Sequence, residues 1–492
     1  MIYKLKSLGA ATLLLIALAG CKKDYLETTP ATAVSEQQIF SKVATVTSAL
    51  NGAYQSTFKL GPNGRHDNYG QKSYDLDNDL MGNDMVVQSA GYGWYNAAYQ
   101  YNEWQVATNN RHSYNAWVYY YNIIKQANTI IANVDAVADA SQTQKETIKG
   151  QALGLRAYCY FYLINYYQQT YKGNESKPGV PLYTVNATEG NGRGTVQDVY
   201  NQIVADLTKA ETLLTGKTVS TKTLMDVRAV QGFRARTALL MEDWTTAATY
   251  ANKARTGYAP MSASQYQGGF STISNPEWMW GAQIPADQAT IYASFFSHMD
   301  INTQGYAYLG GQKKITKALY DLIPATDVRK SVFKAPGTGT STNPDYNQLK
   351  FRVPSPGSWA ADYLYMRAAE MYLIEAEALA RQGQDAPARA VLQSLIVTRD
   401  PSYNAGTLSG TALLNEILLQ RRIELWGEGW SLIDIKRLHT GLNRPTGAGN
   451  HNTTTLNPIV YTLPDADPKF LMRIPQAELD ANTKMTPADQ NP

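Results

Sequence analysis

Cysteine is almost missing from this chain. Cys21 and Cys159 are the only two in 492 residues. Cys21 borders the N-terminal apolar run, so one thiol is left in the body and no internal disulfide can staple it. The fold must rest on its own core. Cys159 falls in an apolar, aromatic helix-like run and is expected to be a buried structural thiol. Histidine is also scarce. His66, His112, His298, His439 and His451 are the whole set, and no two share zinc-ligand spacing. Charge of one sign is lacking, with a formal net of +3. No Lys/Arg run interleaves with aromatics, so nucleic acid is not an expected partner. Nor is there a second long apolar span after the N-terminus, so no membrane-crossing helix is expected in the body.

Motifs of catalysis and cofactor binding are wanting too. Gly216-Lys217-Thr218 ends like a phosphate loop, but Glu211 stands where the first glycine is needed and a helix precedes it. Asp75, Asp77 and Asp79 open like a calcium loop. Leu80 and Val86 then occupy the positions of its glycine and bidentate glutamate. A looser calcium site there stays open. No G-x-S-x-G elbow occurs. A pair of glycosidase carboxylates needs only closeness in space, and nothing marks one. The expectation is a protein without cofactor, metal centre or catalytic residues.

What is abundant is tyrosine, at 34 residues, with nine tryptophans beside it. Both join a flat apolar face to a polar edge, which suits a core and also suits a wet site that stacks on a polar ligand. The N-terminus is equally distinctive. Lys4 and Lys6 precede an apolar run from Leu8 to Leu18, which is shorter than the roughly 20 residues of a spanning helix. A charged start, short apolar core and small-residue end read as a secretory signal over 1–20. Leu18-Ala19-Gly20-Cys21 resembles the bacterial lipobox, which implies cleavage before Cys21 and lipid on its sulfur. Lys22, rather than Asp, follows; that resembles signals for the outer membrane.

Residues 21–34 are polar, carry Pro30 and read as a tether. A helix is expected from Ser35, with Gln38 completing a capping box. Its apolar positions are Ile39, Val43, Val46, Leu50 and Tyr54. Between Lys59 and Arg111 no period holds, and this reads as a long irregular insertion. Helices are expected over Ser113–Val137, Thr143–Tyr171 (capped by Glu146), Thr195–Leu214, Asp226–Met241, Trp244–Arg255, Leu364–Arg381, Ala386–Arg399 and Thr411–Leu438. The segment 257–360 is loop-rich. The fold class is therefore mostly α: tetratricopeptide-like helix pairs forming a scaffold, with long loop-rich insertions and little β. The division expected is an N-terminal region over 35–220 and a C-terminal one over 221–492.

Several motifs in order point to one family. They are CKKDYLETTP after the lipobox, then Trp117, Tyr121, Ile124 and Asn128, then LRAYCYFYLINYY at 155–167. Gly179-Val180-Pro181-Leu182, ARTALLMEDWTTAATYANKA (235–254) and Asp327-Val328-Arg329 follow. YMRAAEMYLIEAEALAR (365–381), RRIELWGEGW (421–430) with Asp434 and Arg437, and IPQAELDAN with a final QNP complete the set. Together they resemble the SusD/RagB family of Bacteroidetes nutrient-binding lipoproteins. The family often has Arg where this chain has Ser431, so one expected ion pair is absent or supplied elsewhere. Arg156, Arg367, Glu370, Arg422, Glu424 and Glu428 are read as structural, paired charges that fix one helix hairpin on the next. Arg367 and Glu370, three apart, and Glu424 and Glu428, four apart, each look like neighbours on one helix face.

The resemblance implies a surface protein that holds an oligosaccharide over a SusC-like TonB-dependent transporter barrel in the outer membrane and passes it on without covalent chemistry. Oligopeptide is the alternative ligand, and a surface glycosidase the alternative class. Binding groups are expected in the insertions. Tyr92, Trp94, Tyr95, Tyr99, Tyr101 and Trp104 crowd one loop, with Asn109, Asn110 and Arg111 behind them. Rings stack on sugars while amides and guanidinium satisfy hydroxyls. Some of these rings are expected to pack the loop instead. A second cluster holds Tyr292 and Tyr306, with Tyr308. Trp278 and Trp280 alternate as on a core strand.

Overall fold

The computed structural model describes residues 39–59, 61, 65–102, 104, 112–289, 292–452 and 459–492. The signal segment, Cys21, the tether, the start at Ser35 with Gln38, and Asn109, Asn110 and Arg111 lie outside these residues.

Eleven helices of seven or more residues are present among the described residues. They are α1 (Val43–Gln55), α2 (Gln71–Leu80), α3 (His112–Asn133), α4 (Gln142–Tyr167), α5 (Val196–Leu214), α6 (Val227–Met241), α7 (Trp244–Arg255), α8 (Ala368–Arg381), α9 (Asp385–Ile396), α10 (Gly410–Glu424) and α11 (Ser431–Arg437). From α3 to α9 each helix packs on the next in sequence, with α10 also against α8. That is the stacked-pair scaffold the apolar periodicity implies, because each amphipathic face needs a neighbour to cover it. Strands are short and occur as two-stranded antiparallel ribbons. Among them are β1 (Met85–Val87), β2 (Pro178–Pro181), β3 (Arg193–Thr195), β4 (Trp278–Ala282), β5 (Lys313–Ile315) and β6 (Tyr363–Arg367).

Polar caps set several boundaries. Helix α4 starts at Ser141, whose hydroxyl accepts from Gln144 N–H while Gln144 reaches back, so the box is Ser141–Gln144 and not one closed by Glu146. Thr195 with Asp198 opens α5 in the same way. Asp226 caps α6. Helix α1 begins only at Val43, after an extended Lys42, so a continuous helix from Ser35 is not formed. Its inward positions Val46, Leu50 and Tyr54 are buried as their spacing requires. Cys159 is wholly buried in α4, and burial pushes its thiol pKa up.

Three expectations are corrected. The stretch 59–111 is not wholly irregular. QKSYDLDNDL forms α2, and every residue of it is buried. Its carboxylates are engaged: Asp75 with Lys72 at 3.1 Å, Asp77 with His112 Nδ1 at 2.7 Å, and Asp79 with the N–H groups of Gly429 and Ser431. Among the described residues no group of three potential ligands could hold a metal ion. Next, 364–381 is not one helix. Residues 363–367 form β6, which pairs with β4 so that Trp278 faces Arg367 across the ribbon. Trp278 and Trp280 thus do sit on a buried strand. Finally, 411–438 breaks between α10 and α11. Gly427 and Gly429 have φ of +80° and +91°, and a Cβ on Gly429 would lie 2.7 Å from the Asp75 Cα.

The motif charges pair, but across elements and not along one helix. Arg367 ends β6, and its guanidinium bridges Glu277, Glu424 and Glu428 at 2.7–2.8 Å. Glu424 also receives Arg399 at 2.9 Å and Arg329 at 3.2 Å. Glu370 pairs with Arg236 of α6 at 2.6 Å. Arg156 reaches Asp206 of α5, Asn128 of α3 and the Thr184 carbonyl. One guanidinium therefore ties three helices and a loop. Such groups are tolerated inside because every charge is met.

Candidate functional site

The loop after β1 carries two sorts of ring. Tyr95 adopts φ +66°, which turns the chain into the short helix Asn96–Tyr99. That turn sends Tyr95, Tyr99, Tyr101 and Trp104 inward, each at most 2 % exposed. The Tyr95 hydroxyl lies 2.6 Å from that of Tyr69, and burial raises the Tyr95 pKa well above the usual phenol value. Tyr99 bonds to His451 Nδ1 and sits 4.4 Å from the Arg444 guanidinium. Tyr101 donates to the Met81 carbonyl, and Trp104 packs edge-on to Tyr166. These four rings are corrections to the expected ligand-binding set. They anchor the loop to the scaffold, because so long an excursion needs apolar weight of its own to hold one conformation.

Tyr92 and Trp94 face the other way. Tyr92 is 65 % exposed, and Trp94 is half-buried. Two rings from the second insertion meet them. Tyr292 is 53 % exposed, and Tyr306 is half-buried with its ring 4.5 Å from that of Tyr92 and 5.5 Å from that of Tyr292. Two segments some 200 positions apart in sequence therefore build one aromatic face.

His66 joins them at the centre. Its ring lies 5.0 Å from Trp94, 5.3 Å from Tyr292 and 5.3 Å from Tyr306. Its Nδ1 is 2.8 Å from the Tyr306 hydroxyl, which also receives the Trp94 indole N–H at 3.2 Å. Arg65 stands 5.6 Å over the Trp94 ring and bonds Asp67 at 3.1 Å. In the sequence His66 stands out only as one of five possible metal-ligand histidines, and Arg65 carries no signal at all. The one hint was their place in the polar run GRHDNYG, inside the same irregular insertion.

Beneath this face the interior is polar. The His66 carbonyl is bonded by His298 Nε2 at 2.8 Å. Burial, with Lys313 beside it, lowers His298 to about 3 and keeps it neutral. Burial likewise brings Lys313 down to about 7. The face therefore presents flat rings, one imidazole and one guanidinium.

Comparisons with known proteins agree on the class. A family model described as starch-binding associating with outer membrane matches residues 24–239, and the SusD family model matches 302–492. The chain belongs to the SusD/RagB family. Its fold is that of a SusD-like carbohydrate-binding protein from Bacteroides vulgatus, with a TM-score of 0.80 and 28 % identity over 92 % of this chain and 98 % of that one. A SusD superfamily protein from Bacteroides thetaiotaomicron aligns with a TM-score of 0.77 and 22 % identity, over 92 % of this chain and 100 % of that one. Surface glycan-binding protein A from the same organism, in complex with laminarihexaose, shares the fold with a TM-score of 0.68 and 16 % identity, over 91 % and 99 %. No curated protein matches the chain.

Proposed function

We propose that this protein captures an oligosaccharide nutrient at the cell surface on the face made by Tyr92, Trp94, Tyr292 and Tyr306, with His66 and Arg65 at its centre and edge. The observation that carries this is the convergence of the four rings from two separate insertions, two of them left more than half exposed. Large apolar rings are seldom left in water without a use. Flat faces stack on pyranose rings, while the imidazole and guanidinium can meet hydroxyls. Asn109, Asn110 and Arg111 would add amides and a further guanidinium from the same loop. The step is binding and release, with no bond made or broken.

Lipid on Cys21 would hold the protein to the outer membrane, with 21–34 as its tether. A TonB-dependent barrel of the SusC type would receive the ligand. Support for this part is family membership and the order Leu18-Ala19-Gly20-Cys21. The test is titration of the purified chain against panels of glycans and of peptides, with Trp94→Ala and Tyr292→Ala beside it. A glycan that binds saturably, about tenfold more weakly to each variant, is expected. Saturable binding of peptides on this face, and of no glycan, would overturn the reading.

A further inference from the structure

A second concavity shares no residue with the aromatic face. It lies between α3, the segment after β2, and the short helix Gln476–Ala481, and encloses about 320 Å³. That is the lower end of the size range of small-molecule sites, about 300 Å³. On α3 the positions Trp117, Tyr121 and Lys125 recur every four residues, so they form one stripe along the helix. Trp117 lies 4.8 Å from Tyr121, and Tyr183 stands edge-on to Tyr121 at 5.8 Å. Val185, 63 % exposed, makes an aliphatic lip.

The charges of this cleft sit at opposite ends. Glu478 accepts the Trp117 indole N–H at 3.2 Å and the Asn482 amide at 2.8 Å. No cation pairs with it among the described residues. Lys125 is exposed at the far end, also without a carboxylate partner among the described residues. The eight residues from Trp117 to Lys125 advance the helix by about 12 Å. An extended chain rises about 3.3 Å per residue, so three or four residues span that distance.

We propose that this cleft binds a short peptide of three or four residues. Its free amino group meets Glu478, its carboxylate meets Lys125, and an apolar side chain lies on Tyr121 and Tyr183 beside Val185. A neutral sugar would leave both charges unmatched and gain nothing from the aliphatic lip. The peptide answers both charges and the lip at once.

The test is calorimetric titration of the full chain with the tripeptide Ala-Leu-Ala, its N-acetylated form and its C-amidated form. Glu478→Gln keeps an acceptor for the Trp117 N–H and removes the charge; Lys125→Met removes an exposed cation and keeps the stem. The free tripeptide is expected to bind saturably. Acetylation should weaken it about tenfold on the unaltered protein and no further on Glu478→Gln; amidation should do the same with Lys125→Met. Trp94→Ala and Tyr292→Ala should leave this binding unchanged, which separates it from glycan capture. The capped peptides probe both contacts without any substitution, so a poorly folding variant does not spoil the test. Equal affinity for free and capped peptides, or no saturable binding at millimolar concentration, overturns the proposal. So does a glycan that competes for the cleft and is lost with Tyr183→Ala.

Discussion

Trp94 donates its indole N–H to the hydroxyl oxygen of Tyr306, 3.2 Å away and 212 positions later in the chain. The oxygen accepts that proton, so its own O–H is free to point at His66 Nδ1, 2.8 Å off. The three groups form a relay that locks two insertions edge to edge. Tyr306→Phe keeps the ring and deletes both bonds. A neutral hydrogen bond is worth about 0.5–1.5 kcal/mol net, so glycan affinity should fall by roughly two- to tenfold. Titration of the variant beside wild type checks this. Unchanged affinity would show that the relay does not orient the face.

The inward rings should behave oppositely. Trp104→Ala empties a large site in the core, at a cost of about 3–5 kcal/mol. Its unfolding midpoint in denaturant should drop clearly, while the folded fraction binds glycan as before. Trp94→Ala should instead lose affinity and keep most stability. A Trp104→Ala protein of normal stability that fails to bind would put that ring back in the site.

How far the sequence carries can be seen in these same residues. The helix pairs were readable because Val46, Leu50 and Tyr54, like Trp117 and Tyr121, repeat at helical spacing, and periodicity reports which face is buried. Inside the insertions no period exists, so Tyr92 and Tyr95 look alike on paper. What separates them is the positive φ of Tyr95, a backbone turn that residue type does not encode. Helix α2 is hidden in the sequence for another reason. Its aspartates and asparagine mimic a loop, and they are tolerated in the core through Lys72 of the same helix and through partners from elsewhere, His112 and the Gly429 N–H. Arg367 looks helical in the sequence because its own neighbours favour helix. Pairing with β4 overrides that preference.

The buried charges make stability depend on acid. Burial alone would raise the Glu428 pKa, but Arg367 and Lys350 outweigh it and hold the group at about 2, against 4.5 ordinarily. A depressed carboxylate stabilises the native state fully above about pH 4.5, and that share is lost as pH falls from there towards 2. The share is on the order of 3 kcal/mol. Denaturant unfolding of wild type should therefore weaken steeply below pH 4.5. Glu428→Gln should be weaker already at pH 7 and show a shallower acid slope. A slope identical to wild type would place the loss on other groups.

Replacing Cys21 tests the anchor. Cys21→Ser should remove incorporation of labelled palmitate and release the protein from the membrane fraction, since acyl chains hold at about 0.8 kcal/mol per buried methylene. The freed protein should bind glycan with unchanged affinity, because the groups proposed to hold the ligand come from Arg65 onward in the chain. Label retained in the variant would rule out Cys21 as the acylated residue.

Asp79 sits where the departure at Ser431 is felt. Its carboxylate takes the Gly429 N–H at 2.8 Å and the Ser431 N–H at 3.2 Å, and no arginine pairs with it among the described residues. Burial raises its pKa from 3.8 to about 7, and the two N–H groups with Lys72 pull back only in part. The native state then holds a proton that the unfolded chain gives up between about pH 4 and 7. Stability contributed by that proton must decline as pH rises through this window, the reverse of the Glu428 effect and in a separate range. Asp79→Asn cannot titrate. Urea unfolding at pH 5 and at pH 7.5 should show wild type losing stability relative to the variant at the higher pH. If the difference between the two proteins were the same at both pH values, Asp79 would be ionised throughout. The turn between α10 and α11 would then tolerate a buried carboxylate held chiefly by backbone N–H groups, with no arginine beside it among the described residues.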